Sequence, residues 1–296
     1  MKTVRDIGEF GLIARLARTL ATRDASVAVG IGDDCAVLRG GDPKKFFLLT
    51  CDPVVEGIHF RRNTPPRRVG WKAMARNLSD IAAMGGLPRW AVVSLGLRPD
   101  TPVRYVENLY AGLRDAARRF GCTIVGGDTT HVAREPFIVV TIVGEVERRR
   151  VALRSGARVG DVVFVTGKLG GSSRGKHLTF TPRVREARWL VEHFPIHAMM
   201  DVSDGLASDL QRLVEASGVG FDIAAKSVPA NGTLRAALSD GEDFELLFTV
   251  ARSRVAGLKR KWKFKLRLTE IGRVIRRRAV LLDGVPLAAE GYDHFA

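Results

Sequence analysis

The sequence predicts an α/β fold made of two α/β domains, and three observations support this prediction. The chain has 296 residues, which exceeds the usual size of one compact domain. Both halves alternate short apolar runs, typical of buried strands, with stretches whose apolar residues recur at helical spacing. A basic and glycine-bearing connection, which includes "RSGARVGD" (154–161), separates the halves. We therefore predict one domain over 1–148 and a second over 149–296.

The first half alternates strand and helix patterns. "KKFFLLTCD" (44–52) is typical of a strand, and the apolar residues from Trp71 to Met84 predict a helix that Gly85 and Gly86 end. Pro102 opens a second helix, which continues to Phe120. Further strands are predicted at "RWAVVSLGL" (89–97), "CTIVGGD" (122–128) and "PFIVVTIVGEV" (136–146).

The second half has a similar pattern. We predict strands at "DVVFVTG" (161–167) and "EDFELLFTV" (242–250), with helices over 183–194 and 204–217 between them. No short tandem repeat is evident.

The composition predicts a globular protein with aliphatic cores, since 46% of the residues are hydrophobic and 7% are aromatic. The run "FIVVTIV" (137–143) is shorter than the roughly 18 residues of a membrane span, and the first 19 residues lack a secretory core. We therefore expect a cytoplasmic protein with no membrane partner. Cys35, Cys51 and Cys122 are odd in number and widely spaced, so we expect reduced, partly buried thiols rather than disulfides or a zinc site.

The formal net charge of +15 would attract polyanions. The basic runs, such as "KRKWKFKLR" (259–267), are scattered and match no nucleic-acid-binding signature. We interpret them as solvated surface that attracts anionic substrates, and we expect no nucleic-acid partner.

Six aspartates end apolar segments or adjoin glycine turns. Each one alone could cap a turn or a helix, or lie in solvent. Carboxylates at the ends of neighbouring strands of one sheet converge, however, and they repel each other unless a cation holds them. Oxygen ligands without a His or Cys cluster indicate magnesium. The six are Asp34, Asp52, Asp80, Asp128, Asp201 and Asp204.

Two glycine-bearing segments, "VGGDTT" (125–130) and "LGGSS" (169–173), are predicted turns whose N–H groups could face an anion. The sequence has no Walker A loop and no protein-kinase signature set. Together with the aspartates, these glycines predict a nucleotide and metal site for phosphoryl transfer.

These residues resemble the thiamine-monophosphate kinase family, whose superfamily includes aminoimidazole ribonucleotide synthetase and selenophosphate synthetase. The matching blocks run in family order from residue 8 to the C-terminal region. They are "GEFGLIARL", "GIGDDCAVL", "TCDPVVEGIHF", "NLSDIAAMGGLP", "GGDTT", "RSGARVGD", "VTGKLG", "DVSDGLASDL", "GEDFELLFTV" and "GYDHF".

The resemblance implies that the chain phosphorylates thiamine monophosphate to thiamine diphosphate with ATP and several Mg²⁺ ions, in thiamine diphosphate biosynthesis. It implies an aminoimidazole ribonucleotide synthetase-like homodimer in which the N-terminal sheets pair. A C-terminal α/β domain with a mixed sheet follows, and the active site lies between the domains.

The resemblance also implies roles for individual residues. The metal ligands would be Asp34, Thr50, Cys51, Asp52, Asp80, Asp128, Asp201 and Asp204. ATP would contact Tyr110, Gly127, Asp128, Arg154 and Ser203, and thiamine monophosphate would contact His59, Glu242 and Tyr292. The residues expected to carry catalysis are Asp52, Asp80, Asp128 and Arg154.

The chain departs from the family pattern at two places. Cys51 stands where the family has threonine, and because a thiol is a poor magnesium ligand we expect any metal contact there through the backbone carbonyl. The segment after "LGGSSRGKH" is short, so we expect a curtailed helix and altered packing near residues 170–190.

Several alternatives stay open from the sequence. His59 could be a structural histidine, Tyr292 a packed aromatic residue and Glu242 an acid at a strand start. Another enzyme of the superfamily, or a basic nucleic-acid-binding protein with a degenerate kinase fold, would share many of these motifs. The kinase hypothesis needs no general base, because a phosphate monoester with a second pKa of about 6 is largely an oxyanion at neutral pH.

Overall fold

The computed structural model describes residues 2–20 and 24–295 and has one sheet in each half of the chain. The first half consists of α1 (Gly8–Thr19), β1 (Val27–Val29), β2 (Ala36–Arg39), β3 (Lys45–Val55), α2 (Pro66–Ala83), β4 (Leu87–Leu97), α3 (Val103–Phe120), β5 (Thr123–His131) and β6 (Phe137–Glu147). Its strands are ordered β1-β2-β3-β6-β4-β5, and β4 and β5 are the parallel pair in this otherwise antiparallel sheet.

Helices cover one face of the first sheet. In β6, buried and half-buried residues alternate, so that Ile138, Val140 and Ile142 enter the core with the apolar residues of α2 and α3. The other face, here called the open face, carries Leu49 and Val92, which are 36% and 40% exposed. The first sheet is therefore packed on one side only.

The helices α2 and α3 approach closely at two glycines. A Cβ atom on Gly70 would lie 2.0 Å from the carbonyl oxygen of Leu109, and one on Gly112 would lie 1.9 Å from that of Arg67. Because neither backbone can accommodate a methyl group, glycine at both positions permits this spacing.

The second half is a sheet between two helical layers. It consists of β7 (Val162–Thr166), α4 (Val184–His193), β8 (Ile196–Asp201), α5 (Leu206–Ser217), β9 (Gly220–Ile223), α6 (Leu234–Ser239), β10 (Leu246–Val250), α7 (Val255–Lys261), β11 (Leu268–Ile275), β12 (Val280–Leu282) and β13 (Val285–Pro286). The strand order is β13-β12-β9-β11-β7-β10-β8. In β7, Val163 and Val165 pack towards α5, whereas Phe164 packs towards α4 and α7. The predicted α/β class and the mixed second sheet are confirmed.

Two local predictions are wrong. "EDFELLFTV" becomes a strand only at Leu246, because Glu242 and Phe244 have φ angles of 54° and 51°, which extended strands do not adopt. "VGGDTT" lies within β5 rather than in a turn. The segment "LGGSSRGKH" (169–177) contains a 3₁₀ turn at Ser172–Arg174 and the start of another at Lys176–Leu178, and the next helix, α4, begins at Val184.

Helix α2 also contacts the second half of the chain. The indole of Trp71 donates to the carbonyl of Phe180 at 2.8 Å, and the Ser79 hydroxyl donates to the carboxylate of Asp201. Arg188 donates to the carbonyl of Gly85 at 2.8 Å, just beyond the helix. Helix α2 therefore lies at the boundary between the two halves, and the region that it borders there is called the cleft. None of the helices in the described part of the chain combines the length and the hydropathy that a membrane span requires.

Candidate active site

Three carboxylates from distant parts of the chain converge in this cleft. Asp34 follows a turn at Gly32, which has a φ of 126°; Asp80 lies near the end of α2, and Asp201 is the last residue of β8. One oxygen from each carboxylate lies within 4.8 Å of the others. We call Asp34, Asp80 and Asp201 the acidic triad.

The acidic triad is electrostatically unfavourable without a cation: Asp201 is buried, the Asp34 side chain is 1% exposed, and Asp80 is half-buried. Burial, followed by the charge of Asp34, raises the pKa of Asp201 to about 7. Burial and the charges of Asp52 and Asp201 likewise raise the pKa of Asp80 well above its ordinary value. Oδ2 of Asp34 is buried without a hydrogen-bond partner. An oxygen-only donor set with a free, buried oxygen fits a hard divalent cation such as Mg²⁺.

Asp33 and Arg154 hold Asp34 in place. The Asp33 carboxylate accepts hydrogen bonds from the backbone N–H groups of Asp34 and Arg154, at 3.1 Å for its shortest contact with each. The Arg154 guanidinium then donates to Oδ1 of Asp34 at 2.7 Å. The two adjacent aspartates therefore differ, because Asp33 binds backbone N–H groups while the carboxylate of Asp34 lies beside those of Asp80 and Asp201.

Residues of β3 alternate between the two faces of the first sheet. The Thr50 hydroxyl donates to Asp80, and the Asp52 carboxylate receives the Arg76 guanidinium at 3.1 Å, so both side chains lie towards α2. Cys51 lies on the open face, is exposed and accepts a hydrogen bond from the Thr141 hydroxyl at 3.2 Å. Its thiol therefore points away from the triad, and the expectation that Cys51 is partly buried is wrong.

Asp204 lies after β8 and adjoins a buried acid that sequence reasoning missed. Burial and the charge of Glu9 raise the pKa of Asp204 to about 6. Its backbone N–H donates to Asp209 at 3.3 Å, and the second oxygen of Asp209 is buried without a partner. The available signal was the acid five positions after Asp204 in "DVSDGLASDL", at a position where α5 faces the core.

The predicted nucleotide residues fall into two groups. Arg154 contacts the triad as described, and the Ser203 carbonyl accepts the backbone N–H of Glu242 at 2.6 Å. Tyr110 lies on α3, packed against the first core, and Gly127 and Asp128 lie on the edge strand β5.

Asp128 is separated from the triad within one chain. Asp128 pairs with Ser94, and Ser94 lies on the same face as Val92, two residues before it. The side chain of Asp128 is therefore on the open face. Strand β5 is three strands from β3, or about 14 Å across the sheet. The expected convergence of six aspartates therefore holds for the triad, with Asp52 and Asp204 at its margins, but not for Asp128 of the same chain.

The three predicted substrate residues gather at one end of the cleft. The His59 ring is 5.3 Å from the His294 ring, which lies 4.8 Å from the ring of Tyr292. Glu242 forms an ion pair with Lys72 at 2.5 Å. His294 and Lys72 were not predicted as site residues; His294 stood within the matching block "GYDHF", whereas Lys72 had no visible signal.

His59 is held neutral in this group. Burial, then the positive charges of Arg76 and Lys72, lower its pKa to about 3. Its Nδ1 accepts the backbone N–H of Val55 at 3.1 Å. A neutral imidazole therefore faces the cleft.

Arg76 connects the metal side of the cleft with the substrate side. Its guanidinium lies 3.1 Å from Asp52 and 3.9 Å from Glu242. The cleft therefore holds acids at one end and a mixed cationic and aromatic group at the other, which suits two phosphorylated ligands meeting end to end.

The "LGGSS" segment does not offer free N–H groups at its two glycines. The N–H of Gly170 donates to Asp243 at 2.6 Å, and that of Gly171 donates to Asp240 at 3.0 Å. The prediction that these glycines face a bound anion is wrong, because carboxylates of the chain itself occupy those donors.

The fold and the acid-lined cleft define a two-domain protein of the AIR synthase class. The model of the AIR synthase related protein N-terminal domain matches residues 32–146, and that of the C-terminal domain matches residues 158–282.

Curated relatives identify the family more narrowly. The thiamine-monophosphate kinase of Aquifex aeolicus (strain VF5) is 36% identical, with 99% of each chain covered. That of Bacillus subtilis (strain 168) is 34% identical, with 97% of this chain and 99% of the relative covered. The solved structure of AaThiL complexed with AMPPCP and TMP superposes with a TM-score of 0.88 at 36% identity and 99% coverage of both chains. This chain belongs to the thiamine-monophosphate kinase family.

Proposed function

We propose that this chain is a thiamine-phosphate kinase that transfers the γ-phosphoryl group of ATP directly to the phosphate of thiamine monophosphate, forming thiamine diphosphate and ADP. The observation that carries the proposal is the convergence of Asp34, Asp80 and Asp201 within 4.8 Å beside the predicted substrate residues. Family membership, and a relative solved with both AMPPCP and TMP, support this choice over other enzymes of the superfamily.

The residues supply what this reaction requires. The acceptor phosphate is already an oxyanion, so the obstacle is repulsion between two polyanions and the need for in-line geometry. Mg²⁺ bound by the acidic triad, Asp52 and Asp204 would neutralise charge on the phosphoryl oxygens. Arg154 and Arg76 add fixed positive charge at either end of the acid group.

For the acceptor, we propose that His59, Glu242 and Tyr292 bind the thiamine part. A neutral imidazole and a phenol ring present π faces to a cationic thiazolium, and the carboxylate accepts hydrogen bonds from an aminopyrimidine. We propose that Thr50 binds metal through its side chain, which lies beside Asp80. We propose that Cys51 binds metal through its backbone carbonyl, since its thiol lies on the open face.

We also propose a homodimer formed through the open face. This face exposes Trp90, Val92 and Val125 by 44%, 40% and 59%, an apolar surface typical of an interface. Because Asp128 is separated from the triad of its own chain, we propose that Gly127 and Asp128 of one copy contribute to the site of the other. Tyr110 as an ATP contact, the domain bounds 1–148 and 149–296 and the cytoplasmic location stay predictions.

The direct test is Mg²⁺-dependent formation of thiamine diphosphate from ATP and thiamine monophosphate, with free thiamine as the control acceptor. We expect turnover with the monophosphate only. Asp80→Asn should lower kcat by about a hundredfold or more, whereas Asp100→Asn, at a side chain 80% exposed, should leave it unchanged. Absence of turnover by folded wild-type protein across pH and temperature would rule out the proposed function, and salt-dependent RNA or DNA binding would then favour the alternative.

A further inference from the structure

Lys72 is a lysine with no exposed surface. It lies on α2, and its side chain is 0% exposed. Lysines are almost never fully buried unless their charge is paired, because removing an ammonium from water is costly. Its burial lowers the pKa of Lys72 to about 8, although the charge of Glu242 opposes this shift.

Two oxygens surround the buried ammonium. Nζ of Lys72 donates to the backbone carbonyl of His59 at 2.7 Å and lies 2.5 Å from Oε1 of Glu242. The first oxygen belongs to the first half of the chain and the second to the second half. The ammonium of Lys72 is thus hydrogen-bonded to the backbone of the first half, and it forms an ion pair with a carboxylate of the second half.

The backbone of Glu242 is anchored by its N–H, which donates to the Ser203 carbonyl at 2.6 Å, but its carboxylate depends on cations from the first half of the chain. Its backbone has a φ of 54°, which non-glycine residues rarely adopt; its side chain is 31% exposed, while Oε1, the oxygen next to Lys72, is buried. The other cation nearby, Arg76, is 3.9 Å away and already contacts Asp52 at 3.1 Å. The ion pair with Lys72 is therefore the closer of the two ion pairs of this carboxylate oxygen, which has no hydrogen-bond partner.

We propose that Lys72 is a positioning residue for thiamine monophosphate: it holds the Glu242 carboxylate in the orientation that receives the substrate. This rests on the proposed function, which places Glu242 in the substrate site. Lys72 does not touch the substrate, since it has no exposed surface, and it acts through Glu242. Its loss should therefore change the recognition of thiamine monophosphate and leave that of ATP intact.

The test compares steady-state kinetics of Lys72→Met, Glu242→Gln and the double variant, each with varied thiamine monophosphate and varied ATP. Methionine keeps the length of the side chain and removes its charge. We expect Lys72→Met to raise KM for thiamine monophosphate by about tenfold or more and to change KM for ATP by less than about threefold. Arg68→Met, at an exposed position of the same helix, is the matched control and should change neither constant.

The double variant distinguishes positioning from general stabilisation. If Lys72 acts through Glu242, the double variant should have the same KM for thiamine monophosphate as Glu242→Gln alone, because nothing remains to be positioned. The double variant also leaves no unpaired charge, so it provides this comparison even where Lys72→Met alone fails to fold.

Two results would overturn the proposal. One is an equal rise of both KM values in folded Lys72→Met, which indicates a general structural role. The other is a double variant whose KM for thiamine monophosphate exceeds that of Glu242→Gln by more than about threefold. Turnover by the wild-type protein in the same assay tests the proposed function separately, so that the two hypotheses can fail independently.

Discussion

Asp33 and Asp34 are neighbours in the chain, yet their carboxylates have different partners. Asp33 accepts backbone N–H groups from Asp34 and Arg154, whereas Asp34 receives the Arg154 side chain and retains one buried oxygen without a partner. One aspartate thus closes the turn, and the other is left to bind a cation. The distinction depends on Arg154, which lies 120 positions after Asp34, so adjacency in the sequence could not resolve it.

The raised pKa values of the acids predict how pH affects stability without metal. In the folded state the pKa values of Asp33 and Asp201 are about 7, whereas the ordinary pKa of an aspartate is 3.8. Between these two pH values the folded chain keeps protons that the unfolded chain has released. The folded state binds more protons through this window, and the free energy of unfolding therefore falls as pH rises towards 7. The pKa of His59 is lowered from 6.5 to about 3, so its contribution makes the free energy of unfolding rise with pH between these two values.

Asp201→Asn isolates the contribution of one acid. In EDTA, we expect wild-type Tm to fall by about 2–5 °C more than that of Asp201→Asn between pH 5 and pH 7. Asparagine can still accept the hydrogen bond from Ser79, so the local structure should persist. Mg²⁺ should raise wild-type Tm more at pH 7 than at pH 5. Identical pH slopes for the two proteins in EDTA would contradict this account.

At the scale of elements, α2 supplies more of the site than any pattern indicated. Its apolar spacing correctly predicts a helix, but Lys72, Asn77 and Ser79 are buried polar residues on it. Helical periodicity assigns such residues to solvent, and here they face a second domain whose position the pattern does not specify. Asp80 was predicted from its motif, whereas Lys72 becomes visible only when Glu242 is placed beside it.

The close packing of α2 on α3 predicts that alanine at Gly70 destabilises the protein, although the same change stabilises an isolated helix. Gly70→Ala should stabilise an isolated helix by up to about 1 kcal/mol. In this protein the new Cβ would lie 2.0 Å from the Leu109 carbonyl oxygen, so the helices must separate. We expect a net loss of about 1–3 kcal/mol in the free energy of unfolding, measured by urea denaturation.

Gly41→Ala is the control for this change, since a Cβ atom there meets nothing within 4 Å. It should change stability by no more than about 0.5 kcal/mol. A Gly70→Ala variant as stable as the wild type would mean that the two helices can separate at little cost.

Strand periods and turn residues predicted four of the six strands of the first sheet, β3 to β6, because alternation and glycine placement act locally. In the second sheet they predicted only β7 and β10 of the seven described strands. The failures have long-range causes. Residues 242–245 leave the strand conformation where Glu242 turns towards Lys72, and the "LGGSS" glycines bind acids about 70 positions away. Sequence motifs named the acids of the site, but the face on which Asp128 lies follows from the register of β4 and β5.

At the scale of the whole molecule, the separation of Asp128 from the triad of its own chain leads us to propose that Asp128 serves the site of a second copy. If Asp128 acts on the acidic triad of a second copy, Asp128→Asn and Asp80→Asn homodimers should both be inactive. A heterodimer of the two variants contains one intact site, formed by the triad of the Asp128→Asn chain and Asp128 of the other chain. Differently tagged chains, co-expressed and purified in sequence, should therefore yield about half of the wild-type kcat per dimer.

The same heterodimer would be inactive if Asp128 served the triad of its own chain, since each chain would then lack one required residue. A heterodimer of Asp80→Asn with Asp100→Asn controls for tagging and assembly. It should also retain about half of the activity, because only one of its chains is impaired.

Cys51 gives the open face a chemical label of its own. Cys35 and Cys122 are buried, so a thiol-reactive dye applied to the folded chain should modify Cys51 first. Pairing of two sheets would cover this sulfur, and its alkylation rate would then fall as protein concentration rises through the dissociation constant of the dimer. The cysteine that departs from the family pattern thus serves as a built-in reporter of assembly, with no substitution required.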